Sequence, residues 1–70
     1  MTDIEKALVK LDYYTSKYLD VSDADEKKEY KNLCEYWQSV LMCHFDLTVE
    51  QINQMTYGKD GIIAKGLRKM

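Results

Sequence analysis

Three stretches of the sequence decide the fold, and each has the form of a helix start: Thr2-Asp3-Ile4-Glu5, Ser22-Asp23-Ala24-Asp25 and Thr48-Val49-Glu50-Gln51. The hydroxyl side chain that opens each stretch can accept a hydrogen bond from a free backbone N–H. The acidic or amide side chain three residues later can reach back to the first residue. A run with helical apolar spacing follows each stretch, and the chain contains no proline. The sequence therefore predicts an all-α protein.

Apolar periodicity sets the extent of the predicted helices. Four are predicted, at about Asp3–Leu19, Asp23–Phe45, Val49–Tyr57 and Gly61–Lys69. Gly58 stands where the third helix should end in a left-handed residue. We therefore expect residues 1–70 to form a single helical domain, a small compact bundle of three main helices plus a short C-terminal helix.

The second predicted helix carries the widest apolar surface. From Tyr30 onward its apolar residues cover an arc of about 200° around the helix axis, more than one neighbouring helix can cover. The main stripe comprises Tyr30, Leu33, Trp37, Val40, Leu41 and His44. We therefore expect the second helix to lie at the centre of the bundle.

The cysteines do not form a disulfide framework. Cys34 and Cys43 lie nine positions apart in the second predicted helix, about 180° apart around its axis, so they cannot bridge each other. Two free thiols indicate a reducing compartment. No apolar run approaches the roughly 20 residues of a membrane span, and Met1–Lys10 lacks the pattern of a signal peptide. We therefore expect a soluble, cytoplasmic protein with no membrane contact.

The formal net charge of −2 is unevenly distributed along the chain. Residues 1–58 carry six lysines and eleven acidic residues, a net charge of −5, whereas residues 59–70 carry four cations and one acidic residue, a net charge of +3. An acidic body is a poor match for a nucleic-acid backbone, so any attraction of that kind is confined to the basic tail.

Catalytic and metal-binding patterns are weak. His44 is the only histidine, and its neighbour Cys43 points about 100° away from it on a helix, so the two do not make a nucleophile and base. Cys34, Cys43 and His44 do not share one helix face, and no zinc-type spacing occurs. We therefore predict a protein that is not an enzyme, with no catalytic residue, no metal and no cofactor.

The tyrosines are the best indication of a function. Six tyrosines, one tryptophan and one phenylalanine are many for a core this small, and tyrosine is enriched at protein interfaces. They either form the rim of the core or face a partner. Val9 and Tyr13 form a pair on the far side of the first helix, as a surface contact or as part of a second interface. The predicted partner-binding residues are Val9, Tyr13, Tyr36 and Tyr57.

These features together favour a small regulatory or inhibitory protein that acts by binding a larger protein partner. A homodimer is a candidate form of the protein itself. The length, the absence of proline and the composition suit a small bacterial or phage accessory protein. An acidic alternative, in which a carboxylate stripe imitates nucleic acid, uses Asp20, Asp23, Asp25, Glu26 and Glu29, with Asp12 and Glu35 as weaker additions. The lysines Lys27, Lys28 and Lys31 interrupt that stripe.

A second function of a different class is a DNA-binding regulator. Residues 48–70 have the outline of a helix-turn-helix unit, with a capped helix, a turn and a basic second helix. The nucleic-acid-binding residues would be Lys59, Lys65, Arg68 and Lys69. These side chains suit phosphates, and Arg68 alone could read guanine. Gly66 weakens the second helix by up to about 1 kcal/mol relative to alanine.

Overall fold

The computed structural model describes residues 2–67, which form three α-helices and one π-helical turn. Helix α1 is Asp3–Asp20, α2 is Ala24–Ser39, the π-helical turn is Val40–His44 and α3 is Val49–Tyr57. No strand occurs in residues 2–67. The predicted all-α class is confirmed, and the predicted bounds of the first and third helices agree with α1 and α3 to within one residue.

Local hydrogen bonds explain where the helices begin. The Thr2 hydroxyl accepts from the Glu5 amide at 3.1 Å, and the Thr2 amide donates to the Glu5 carboxylate at 2.9 Å. Thr48 and Gln51 repeat this capping box at the start of α3. At the start of α2 the cap is Asp23 rather than Ser22, and its carboxylate accepts from the amides of the second and third residues after it. The predicted second start is therefore shifted by one residue.

Helices α1 and α2 form an antiparallel hairpin held by aromatic side chains. The rings of Tyr14 and Tyr30 stack with centroids 6.3 Å apart. Two lysines on these helices lie over rings of the other helix: Lys27 over Tyr18 at 5.0 Å and Lys10 over Trp37 at 5.5 Å. Aromatic and cation–π contacts are worth about 0.5–1.5 kcal/mol each beyond the area they bury. Tyr14 and Tyr18 of α1 thus help to pair the two helices.

Helix α1, and not α2, lies at the centre of the fold. It packs against α2, the π-helical turn and α3. The buried apolar core consists of Ala7, Leu8, Val9, Leu41, Ile52 and Ile62. No residue of α2 is fully buried, because this helix packs against α1 along one face and exposes its other side. The expectation of a central second helix is therefore wrong: its wide apolar arc extends onto exposed surface.

The second predicted helix continues past α2 as a π-helical turn. The Phe45 amide donates to the Val40 carbonyl five residues earlier, at 3.3 Å. This wider turn contains Leu41, which has no solvent exposure. Asp46 then adopts a positive φ of 55°, a conformation that aspartate tolerates better than most residues. The chain reverses at this point and enters α3.

The segment after α3 folds back as a series of turns. Gly58 has an extended backbone, with φ −73° and ψ 178°, and not the left-handed conformation expected of it. Residues 62–66 form turns where the C-terminal helix is predicted, and its last residues, Arg68 and Lys69, lie outside the described residues. The amide of Ile62 donates to the carbonyl of Met55, so the amides that would start a helix bind the end of α3 instead. The backbone hydrogen bonds from the Lys65, Gly66 and Leu67 amides span four, three and five residues, and so do not form a regular helical series.

Candidate functional site

A groove lies where α1, α2 and α3 converge, with a volume of about 200 Å³. We call it the interhelical groove. It is lined by Leu11, Asp12 and Thr15 of α1, by Cys34 and Gln38 of α2, and by Val49, Ile52, Asn53, Thr56 and Tyr57 of α3. Each helix thus contributes one face, and the groove exists only in the folded protein.

Helix α3 supplies half of the lining because its apolar stripe has helical spacing. Val49, Ile52 and Thr56 recur at three- and four-residue steps, which places them along one face. Ile52 and Thr56 are buried and form the floor of the groove. Val49 and Tyr57 stand at the two ends of the stripe and remain 46% and 63% exposed. The groove therefore combines a closed floor with an apolar rim open to solvent.

Polar groups on the floor are held by short contacts. The Thr56 hydroxyl donates to the Ile52 carbonyl at 2.8 Å within α3. Thr15 Oγ1 and Cys34 Sγ lie 3.6 Å apart, which joins α1 to α2 beside the groove. Asp12 is only 3% exposed and is the one carboxylate in the lining. The lining thus carries acidic and uncharged polar groups but no lysine or arginine.

Two of the predicted partner-binding residues differ sharply in position. Val9 is 4% exposed and belongs to the core. It is therefore not available to a partner, because α3 and the turns that follow cover the side of α1 that was expected to face solvent. Tyr57, in contrast, lies on the rim of the interhelical groove.

The other two predicted partner-binding tyrosines lie away from the groove. Tyr36 is 59% exposed on α2, with its ring edge-on to Trp37 at a centroid distance of 5.3 Å. Tyr13 is half-buried on α1 and packs edge-on against Tyr14 at 5.4 Å. Among the described residues no ring contact joins any two of Tyr13, Tyr36 and Tyr57. The predicted set does not form one surface.

The predicted nucleic-acid-binding residues are only partly described. Lys59 is exposed after the end of α3. Lys65 is also exposed, and its Nζ lies 3.4 Å from the Glu5 carboxylate at the start of α1. Arg68 and Lys69 lie outside the described residues. Within residues 48–67 one helix is followed by turns, so the second helix of a helix-turn-helix unit is not formed there.

The Glu5 carboxylate that meets Lys65 has a shifted pKa. The hydrogen bond from the Thr2 backbone amide lowers the pKa of Glu5 below its ordinary value, and the Thr2 hydroxyl and the Lys65 ammonium lower it further. These contacts join the first turn of α1 to the turns near the C-terminus. They stabilise an anion and do not assemble a reactive centre.

The histidine and the second cysteine face solvent. Cys43 and His44 are both exposed on the π-helical turn, and the His44 ring packs edge-on against Phe45 at 4.8 Å. In residues 2–67 no group of three or more histidine, cysteine or acidic side chains is arranged to hold a metal ion. No helix in the same range is long and apolar enough to cross a membrane.

Most groove residues were not predicted from the sequence. The sequence predicts Asp12 only as a weaker addition to the acidic stripe. It predicts no role for four other lining residues, Thr15, Gln38, Asn53 and Thr56. One signal could have pointed to those on α1 and α3: these polar residues fall on the same helix faces as the apolar stripes of the two helices. A polar residue inside an apolar stripe is either a core residue whose polar group is hydrogen-bonded or a residue that lines a site.

Comparisons with protein-family models, with curated proteins and with solved structures found no match for this chain.

Proposed function

We propose that this protein has no catalytic role and acts by binding another protein, with the interhelical groove as the contact site. The observation that carries the proposal is the pairing of a buried floor with an exposed apolar rim formed by Val49 and Tyr57. Exposed large apolar side chains beside a preformed depression are typical of protein-binding surfaces. The proposed role is that of a small regulatory or inhibitory protein.

The size of the groove favours a side chain of a partner over a free small molecule. Sites for drug-sized ligands and cofactors usually enclose about 300–1,000 Å³. The interhelical groove holds about 200 Å³, enough for one or two large side chains. A partner helix laid between α2 and α3 could insert such side chains at helical spacing, as in other helix-in-groove complexes.

The rim has the composition of an interface anchor. A tyrosine offers a large apolar ring and a hydroxyl that remains hydrated, so it gains much on burial without leaving a polar group unpaired. Tyr57 has this arrangement at one end of the groove, and Asn53 offers an exposed amide beside it. Together they provide an apolar contact and a hydrogen-bonding group that can orient a partner.

A pair of matched variants tests the proposal. Asn53→Arg places a bulky cation in the groove, whereas Asn32→Arg makes the same change at an exposed position of α2 outside it. Tagged wild type and both variants are incubated with lysate of the source cells, with and without nuclease. The nucleic acid and the proteins that each retains are then identified, the proteins by mass spectrometry. We expect a stoichiometric protein that is retained by wild type and Asn32→Arg and lost by Asn53→Arg.

Circular dichroism must first establish that all three proteins have the same helix content. Equal recovery of the partner by Asn53→Arg would remove the groove from the interaction. Recovery of nucleic acid alone would overturn the proposal in favour of the DNA-binding alternative.

A further inference from the structure

Most of the groove is built from a part of the chain without positive charge. Residues 32–58 contain no lysine or arginine, and we call them the cation-free segment. It supplies seven of the ten residues that line the interhelical groove. Lys31 and Lys59 lie immediately outside the segment. The groove is therefore lined mainly by residues from a run of 27 consecutive positions that contains no lysine or arginine.

The same segment holds most of the exposed apolar surface. Among the described residues five large hydrophobic side chains are exposed: Leu19, Tyr36, Met42, Val49 and Tyr57. All but Leu19 belong to the cation-free segment. Its three charged side chains are the carboxylates of Glu35, Asp46 and Glu50, all of them on exposed residues. Exposed apolar side chains and negative charge thus coincide within the segment that supplies most of the groove lining.

Two of these carboxylates flank the groove along the chain. Glu35 follows the lining residue Cys34 on α2, and Glu50 follows Val49 on α3. Asp12 adds a carboxylate within the lining. Three lysines of the α1–α2 hairpin lie over the rings of Trp37, Tyr13 and Tyr18, and none of these rings or lysines belongs to the lining.

We infer that the occupant of the interhelical groove is a basic amphipathic helix of another protein. Its apolar face inserts a side chain between Val49 and Tyr57, and its lysine or arginine side chains meet Glu35 and Glu50. Complementary charge at an interface rim speeds encounter and selects among partners. The inference rests on the proposed function and adds the chemistry of the partner.

A second copy of the chain is a poorer occupant. The described part of its own basic segment, residues 59–67, is held within the same molecule. In the part that the structure describes, Ile62 is buried and Leu67 packs against the core, and Lys65 is paired with Glu5. Releasing this segment to fill a neighbour's groove would expose core surface in the donor.

A displayed peptide library tests the charge preference without knowledge of the partner. Each 18-residue peptide carries leucine at fixed helical i, i+3, i+4 and i+7 positions, with lysine or glutamate at random on the polar face. The library is selected on the full-length protein at low salt. We expect lysine to exceed glutamate about fourfold at positions beside the leucines, since an exposed ion pair gains about twofold and a like-charge pair loses about as much. Asn53→Arg should reduce or invert this ratio, and Ser22→Arg, at an exposed position between α1 and α2 outside the cation-free segment, should not.

Equal use of lysine and glutamate, or selection of peptides that bind Asn53→Arg as well as wild type, would overturn the inference. Failure to select any peptide would overturn it too. The lysate experiment tests the proposed function separately. If Asn53→Arg no longer retains a partner that the wild type retains, the proposed function is supported whatever the charge of that partner. A partner captured through the groove whose contacting helix is acidic would refute only the inference about chemistry.

Discussion

The backbone amide of Ile62 donates to the carbonyl of Met55 at 2.8 Å, which ties the last turns of the chain to the end of α3. Ile62 itself is buried in the core. The connection between the two residues is tight, because a Cβ added at Gly61 would lie 2.6 Å from the Thr56 carbonyl oxygen. The C-terminal turns are thus an integral part of the fold that closes over α3.

Alanine at Gly61 should destabilise the protein by about 1–3 kcal/mol, the usual cost of forcing extra atoms into a packed site. Alanine at Gly66 should cost about 1–2 kcal/mol for a different reason: Gly66 has a φ of +75° and open space around it. Urea denaturation of each variant gives the free energy of unfolding. A synthetic chain with D-alanine at position 66 should recover the loss, because its mirror-image backbone preference suits a positive φ. No recovery would contradict a conformational cause.

Truncation of Val9 should cost far more stability than truncation of Tyr13. Val9→Ala removes two buried methyl groups and should cost about 2–3 kcal/mol. A domain of this size has a total free energy of unfolding of roughly 4–10 kcal/mol, so the change should lower the melting temperature markedly. Tyr13 is only half-buried, and Tyr13→Ala should cost less. Thermal unfolding followed by circular dichroism makes the comparison, and the reverse order would show that Val9 is not a core residue.

Sequence reasoning located the helices well because their ends are decided locally. The capping boxes at Thr2 and Thr48 involve residues three positions apart, and α3 begins and ends where it is predicted. The same local reasoning failed for Val9 and for the C-terminal segment. Which side of α1 is covered, and where the Ile62 amide donates, depend on how separate elements pack, and periodicity in one helix does not contain that information.

The candidate site was still less predictable. Tyr57 is the one predicted partner-binding residue that lies on the groove. The other lining residues come from three helices, and their common location follows only from the docking of α3 against the α1–α2 hairpin. The surplus of tyrosines proved ambiguous because Tyr14 and Tyr30 pair the two helices of that hairpin.

Acid should weaken the contribution of Glu5 to stability. The pKa of Glu5 is lower in the folded protein than its ordinary value of 4.5, because the Thr2 amide donates to its carboxylate. Above pH 4.5 the ionised Glu5 carboxylate therefore stabilises the folded protein. This stabilisation is lost as the pH falls through the lower pKa that Glu5 has in the folded protein. Glu5→Gln keeps an acceptor for the Thr2 amide but does not titrate. We expect the wild type to be more stable than Glu5→Gln at pH 7 and the difference to shrink as the pH falls below 4.5.

Urea denaturation at a series of pH values measures this difference, and Glu29→Gln, on an exposed residue of α2, is the matched control. A stability difference between wild type and Glu5→Gln that persists unchanged to pH 3 would contradict the assignment.

Loss of the Tyr57 side chain should weaken partner binding without affecting the fold. The residue is 63% exposed, so Tyr57→Ala should leave the melting temperature within a few degrees of the wild type. Interface tyrosines that act as anchors cost more than about 1.4 kcal/mol on truncation, which is a tenfold loss of affinity. Calorimetric titration with a peptide selected on the wild type gives this value. Tyr36→Ala, at an equally exposed tyrosine outside the groove, is the control, and an equal loss in both variants would argue against the groove.

The two cysteines should report on the groove by their different access to solvent. Cys43 is exposed, whereas Cys34 is half-buried, lines the groove and lies 3.6 Å from the Thr15 hydroxyl. Alkylation of the folded protein should modify Cys43 first, with Cys34 about tenfold or more slower, because its reaction needs local opening of the hairpin. A bound peptide should slow Cys34 further and leave Cys43 unchanged. Mass spectrometry of timed digests follows both sites, and equal protection of the two thiols on binding would show that the peptide does not occupy the groove.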